Sequence, residues 1–120
     1  MGKDVYRLPK PVYYQCVWII KDMDRLRMLE AADSQAKEHG EHVFFAEHEE
    51  IIKRADVLAH ARWKLDCVRR SLEILPHEYR QGTIDSIIYS IPYGDMAHEN
   101  TWRKWRLRFI RELAKNLMLI

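Results

Sequence analysis

Six cations crowd the C-terminal segment 99–120: Arg103, Lys104, Arg106, Arg108, Arg111 and Lys115, against Glu99 and Glu112 alone. Guanidinium and ammonium groups at this density pair with phosphates, and arginine can also donate two hydrogen bonds to O6 and N7 of guanine. The segment carries +4 whereas the whole chain carries only +2. The positive charge is concentrated rather than general.

A helix must position these groups. At about 100° per residue, Trp102, Trp105, Phe109, Leu113 and Leu117 fall together, while Lys104, Arg108, Arg111 and Lys115 line the opposite side. One side is suited to a core and the other to an anion. Asn100 is the expected N-cap, since its side-chain oxygen can accept from a free backbone N–H of the first turn. Arg103 and Arg106 fall inside the apolar arc, and burying two unpartnered guanidinium groups is expensive. The leading end of the helix is therefore expected to project beyond the core, although pairing with Asp85 or Asp95 would also satisfy these arginines.

Upstream, Pro76 to Ser90 reads as a helix, and Ile91 to Glu99 as a turn region with room for one short helix around Met96 and Ala97. Helix, turn, short helix and basic helix together outline a helix-turn-helix. In that motif the N-terminal end of the second helix meets base edges. Thr101, Arg103, Lys104 and Arg106 are then the base-reading candidates, and Arg108, Arg111 and Lys115 the phosphate-binding ones. Ala97, Asn100, Trp102, Trp105, Phe109 and Leu113 would support the reader helix. The plainer alternative is that the cationic stripe is a solvated surface.

A chain of 120 residues, 48% of them hydrophobic, is long enough for a core of its own and not composed like a disordered one. Cys16 and Cys67 stand far apart without zinc or redox spacing, so both are expected to pack as small apolar groups in a reducing cytosol. The start of the chain leads into no signal-peptide core, and the longest apolar run, Cys16 to Ile20, is too short to span a bilayer. A soluble cytoplasmic protein is the expectation. Residues 31–60 are acidic, with Asp33, Glu38, Glu41, Glu47, Glu49, Glu50 and Asp56 against Lys37, Lys53 and Arg54. A polyanion would thus approach the C-terminal end.

The fold class expected is all-α, with a long central helix and a C-terminal helix-turn-helix. Val12, Cys16, Ile19, Met23 and Leu26 form a helical stripe in a first helix at about 11–30. Tyr14 and Trp18 lie on its other side, and their sandwiching inside the domain is the default. Residues 31–46 read as a loop tethered by Val43, Phe44 and Phe45. Its His39, His42 and His48 beside Glu47, Glu49 and Glu50 lack regular metal-site spacing, and neither metal nor cofactor is expected. A long helix at about 47–75 repeats Ile51, Leu58, Leu65 and Leu72 every seven residues, with Ala61, Val68 and Leu75 beside them. That seam either pairs with the first helix or joins two copies as a homodimer. The layout is therefore an N-terminal helical pair in 1–75 and a helix-turn-helix region in 76–120, within one compact domain. Gly82 is expected to weaken or break the helix before Pro92.

Several runs carry a family resemblance: Tyr6 to Tyr14, Trp18 to Leu26, Leu75 to Gly82, and Thr101 to Ile110 with Leu113, Ala114 and Lys115. They resemble small RinA/ArpU-like regulators of phages and integrated mobile elements over most of the chain except the 31–46 loop. The resemblance implies a bacterial, often phage-encoded transcription factor with a C-terminal half similar to sigma-factor region 4. It makes Thr101 to Lys115 the DNA reader and places Ala97 in the supporting helix. Pro92 and Gly94 depart from the pattern by leaving that supporting helix very short.

The function expected is sequence-specific binding of double-stranded DNA to control transcription. The alternative is a helical adaptor that holds another protein, such as RNA polymerase, through the seam or the Tyr14 and Trp18 face. The sequence offers no Gly-rich phosphate loop, no Ser or Cys nucleophile with a visible base and no metal signature. Asp22 and Asp24, next to Arg25 and Arg27, read as surface ion pairs rather than catalytic acids.

Overall fold

Pro9 and Pro11 set where the first helix begins, because a proline in a first turn loses no hydrogen bond that the helix would have used. The Pro9 carbonyl accepts from Tyr13 N at 3.0 Å, and α1 runs Lys10–Lys21. The computed structural model describes the backbone of residues 7–38 and 48–120 and the side chains of residues 7–34 and 54–120. Among them every regular element is a helix: after α1 come α2 (Met23–Glu38), α3 (His48–Leu72), α4 (His77–Tyr89) and α5 (Glu99–Asn116). The all-α expectation holds. None of these helices is long and apolar enough to cross a membrane.

The helix expected at 11–30 is two helices separated at Asp22, and residues 31–38, expected as loop, continue α2. Ala31, Ala32, Gln35, Ala36, Lys37 and Glu38 are all good helix formers, which outweighs the polarity that suggested a loop. Val43 to Phe45, His39, His42 and Glu47 lie outside the described residues, as do the side chains of His48, Glu49, Glu50 and Ile51. α3 stops at Leu72, earlier than expected, and the chain beyond it is closed by tighter three-residue bonds, from Glu73 N to the Arg70 carbonyl at 3.2 Å and from Leu75 N to the Leu72 carbonyl at 3.0 Å. Arg80 from α4 secures the turn, donating from Nε to the Leu75 carbonyl at 3.0 Å and from Nη2 to the Glu73 carbonyl at 3.4 Å.

Two compact units divide the chain: Met1–Lys21 with Cys67–Ile120, and Asp22–Asp66. This differs from the expected division at 75, because α1 packs on α4 and α5 in the first unit. Cys16 and Ile20 from α1, Val68 and Leu75, Thr83 and Ile87 from α4, and Phe109, Ile110 and Leu113 from α5 are all buried there. A polar cluster joins the two carboxyl-terminal helix ends. Ser71 Oγ donates to the Cys67 carbonyl at 2.6 Å and accepts from Asn116 Nδ2 at 2.8 Å, so a fully buried hydroxyl is satisfied twice. Both cysteines are free and buried, as expected, and burial pushes the Cys16 thiol up to about 11.

In the second unit Met23, Leu26, Ala61 and Leu65 are buried, and Arg62 reaches Asp33 at 3.0 Å to link α3 to α2. Asp22 and Arg25 form a close ion pair at 2.6 Å, while Asp24 and Arg27 lie 3.9 Å apart. The hydrogen bond from Arg25 holds the Asp22 carboxyl below its usual range. Along the heptad seam Ala61, Leu65, Val68 and Leu75 are buried and Leu58 and Leu72 half-buried.

Candidate functional site

The N-cap of α5 lies two residues before the expected one. His98, with extended backbone, accepts from Asn100 N through Nδ1 at 3.0 Å, so His98 rather than Asn100 is the N-cap. An imidazole nitrogen can do here what the Asn oxygen was expected to do. Asn100 is exposed inside the first turn, and Thr101, half-buried, donates its backbone N–H to the His98 carbonyl at 2.9 Å.

No short helix precedes α5. Residues 90–98 form an irregular connection, and Ala97 sits in it, not in a supporting helix. Ser90 ends α4 in the left-handed conformation at φ 56°. The segment instead folds back on α5. The Tyr93 ring stacks on Trp102 with centroids 5.2 Å apart, and the Trp102 indole N–H donates to the Gly94 carbonyl at 3.2 Å. The tight helix-turn-helix outline is thus replaced by α4, a longer connection and α5.

Trp102 anchors the leading end of α5. It is buried, with the Tyr79 ring edge-on at 4.9 Å. Its place on α4 is made by Gly82, where an added Cβ would lie 2.7 and 2.8 Å from two indole carbons. Gly82 therefore remains inside an unbroken α4 and serves close approach of the two helices. The expectation that the leading end projects beyond the core is corrected in part: Trp102 pins this end to α4, while Asn100, Arg103 and Lys104 around it are exposed.

The two arginines in the apolar arc separate. Arg103 is exposed and reaches Glu99 one turn earlier at 2.8 Å. Arg106 is half-buried and donates from Nη2 to the Tyr13 hydroxyl of α1 at 3.0 Å. Burial acts to lower the Arg106 pKa, but its hydrogen bonds to Tyr13 and Tyr93 outweigh that and the net displacement is upward. The assignment of Arg106 to base edges does not survive, because its guanidinium is held against α1. Neither Asp85 nor Asp95 takes up these arginines; Asp85 accepts from Gln81 at 2.8 Å instead.

On the opposite side the cationic stripe is outward. Lys104 and Lys115 are exposed, and Arg108 and Arg111 are half-buried. Trp105, expected in the core, is itself only half-buried and forms a platform for two of them: Lys104 Nζ lies 5.3 Å and the Arg108 guanidinium 5.1 Å from its ring centroid. Cation–π contact and a partly dry neighbourhood orient these charges without removing them. Ile74, Trp105, Arg108, Arg111, Glu112 and Lys115 enclose a shallow depression of about 290 Å³ there. Lys115 is 3.8 Å from Glu112, a loose pair.

The buried side of α5 is wider than the expected stripe. Phe109, Leu113 and Leu117 are buried as anticipated, but so are Ile110 and Ala114, one position further round. Tyr14 and Trp18 are not sandwiched: they are 55% and 66% exposed on α1, with Lys21 Nζ 5.5 Å from the Trp18 ring. Among the described residues no group of His, Cys, Asp and Glu side chains is arranged to hold a metal. No family model, curated protein or solved structure matches the chain.

Proposed function

We propose that this chain is a sequence-specific double-stranded DNA-binding regulator of transcription, with α5 as the element that enters the major groove. Arg103 and Lys104, with Thr101, meet base edges, and Arg108, Arg111 and Lys115 meet phosphates. The observation that carries this reading is the segregation of α5. One side is locked into the core by Trp102, Phe109 and Leu113, while the other presents cations along the helix and pre-orients two of them on Trp105. A rigid rod with outward charge meets the backbone spacing of a duplex without ordering cost at the moment of binding. The resemblance to RinA/ArpU-like regulators belongs to the same reading and gives it a setting in phage or mobile-element genes of a bacterial cell.

Titration of a labelled duplex at increasing salt tests it. With Arg108, Arg111 and Lys115 on phosphates, log affinity falls with log salt at a slope of about −2.7. Selection from a random duplex library yields a defined site. A slope shallower than about −1 with no selected site removes the reading.

The exposed Tyr14 and Trp18 favour a second reading, an adaptor that docks a protein such as RNA polymerase through α1. An adaptor binds DNA weakly and without sequence preference, so the same two measurements separate the readings.

A further inference from the structure

The side of α5 turned away from the cationic stripe borders a different kind of site. α1, α4 and the connection 90–98 enclose with it a cleft of about 850 Å³, a size that holds a small organic ligand. Val17 and Ile87 line it as buried apolar side chains, Trp102 and Arg106 line it from α5, and Tyr13 and Tyr14 from α1. Asp95 and Glu99, both exposed, stand at its edge.

Arg106 is the feature that asks for a ligand. It is a half-buried cation, and among the described residues no carboxylate lies within ion-pairing distance of it. A buried charge is normally paired, and phenol oxygens satisfy N–H groups without neutralising the charge. A guanidinium has five N–H groups in a planar fork, so donors remain beyond those given to the tyrosines. The fork matches the two oxygens of a carboxylate or a phosphate. The edge decides how large that anion can be. Glu99 is paired with Arg103, so the lining charges left besides Arg106 are Asp95 and Lys21, which offset each other; with so little net positive charge the cleft suits a compact molecule with one charged head rather than a nucleic-acid strand.

We propose that this cleft binds a small organic oxyanion, a carboxylate or phosphate monoester, whose charged head is held by Arg106 and Tyr13 and whose flat or apolar body lies over Val17, Ile87 and Tyr14. The site is independent of the DNA-binding reading, since none of its residues lies on the outward stripe of α5.

Benzoate and phenyl phosphate share one body and differ in the head, and benzylamine carries the opposite charge. Each is titrated into the full chain while the four tryptophan indole N–H signals are followed in proton–nitrogen correlation spectra. The Trp102 signal, whose donor sits in the cleft, is expected to move saturably with benzoate or phenyl phosphate at concentrations below about 10 mM, while Trp63 stays still. The tighter of the two names the head group. Arg106→Lys keeps the charge but not the fork and is expected to weaken binding about tenfold. Asp95→Asn, at an exposed position, is expected to tighten it about twofold by removing repulsion at the edge. That second variant keeps the proposal open to refutation if Arg106→Lys fails to fold. No saturable shift from either anion, an equal shift with benzylamine, a response confined to Trp105, or weaker binding by Asp95→Asn would each overturn the assignment.

Discussion

On the inward side of α5, Arg106 is half-buried, hydrogen-bonded to a tyrosine of α1 and bordered by a cleft. Three positions earlier, Arg103 is exposed, and its carboxylate partner Glu99 stands on the same helix. Residue type and helix are the same, but the surroundings assign different work. An exposed i, i+4 ion pair contributes little and can be exchanged for a phosphate or a base edge. A half-buried guanidinium bonded across a long sequence separation cannot leave without exposing what it satisfies. The inward side is therefore read as architecture and small-anion chemistry, and the outward side as a surface for a polyanion.

The sharpest way to break this contrast is at its anchor. Trp102→Ala removes a buried ring, its stack on Tyr93 and its bond to Gly94, and should cost about 3–5 kcal/mol in urea unfolding. A loss under about 1 kcal/mol would show that the inward side does not hold α5 in place.

Next in size is Gly82→Ala. On a free helix the change gains stability, but here the new methyl meets the Trp102 ring, so a loss of about 1–3 kcal/mol is expected. A rise in thermal midpoint would contradict the close approach of α4 and α5.

The two arginines test the contrast directly. Arg106→Ala should lower stability by about 1–2 kcal/mol. Arg103→Ala should leave stability within about 0.5 kcal/mol yet cost about 1–3 kcal/mol in binding to a selected duplex, with relaxed preference at one base pair. Equal effects of both on folding would erase the distinction between the sides.

Alkaline pH acts on α1, which covers the inward side. The Cys16 thiol is raised from 9.0 to about 11 by burial, so the folded state favours the protonated form. Its contribution is fully present below pH 9.0 and is lost as pH rises toward 11. Thermal midpoints should show no thiol-dependent change below that window, and Cys16→Ala should flatten the decline within it. Identical alkaline profiles for both proteins would place the thiol in a wetter site.

The four-residue recurrences in α1 and α5 were legible because a helical period of 3.6 needs only local spacing, and Cys16, Phe109 and Leu113 are buried accordingly, whereas Val12 and Ile19 are only half-buried and Ile20, outside the expected stripe, is buried in their place. The prolines at 11 and 76 likewise mark helix starts through a constraint on their own backbone. Illegible features depend on distant neighbours. The Tyr13 hydroxyl is 93 positions from Arg106, and Ser71 is 45 positions from Asn116, so no window along the chain contains either pair. Gly82 carried a signal, a helix-weakening residue inside a periodic stretch, but its use depends on an indole in another helix. The connection 90–98 was legible as turn chemistry, while its packing on Trp102 was not.

By itself, the sequence determined that this protein is helical, that its positive charge gathers at one end, and that the helix bearing it has a side made for burial, because period and charge are properties of neighbours in the chain. Tertiary structure alone decided which cations stay outside, where the tryptophans rest, and that a cleft opens beside Arg106. Those outcomes turn on which surfaces α1, α4 and α5 press together, and the desolvation and hydrogen bonds that sort the side chains exist only after they have met.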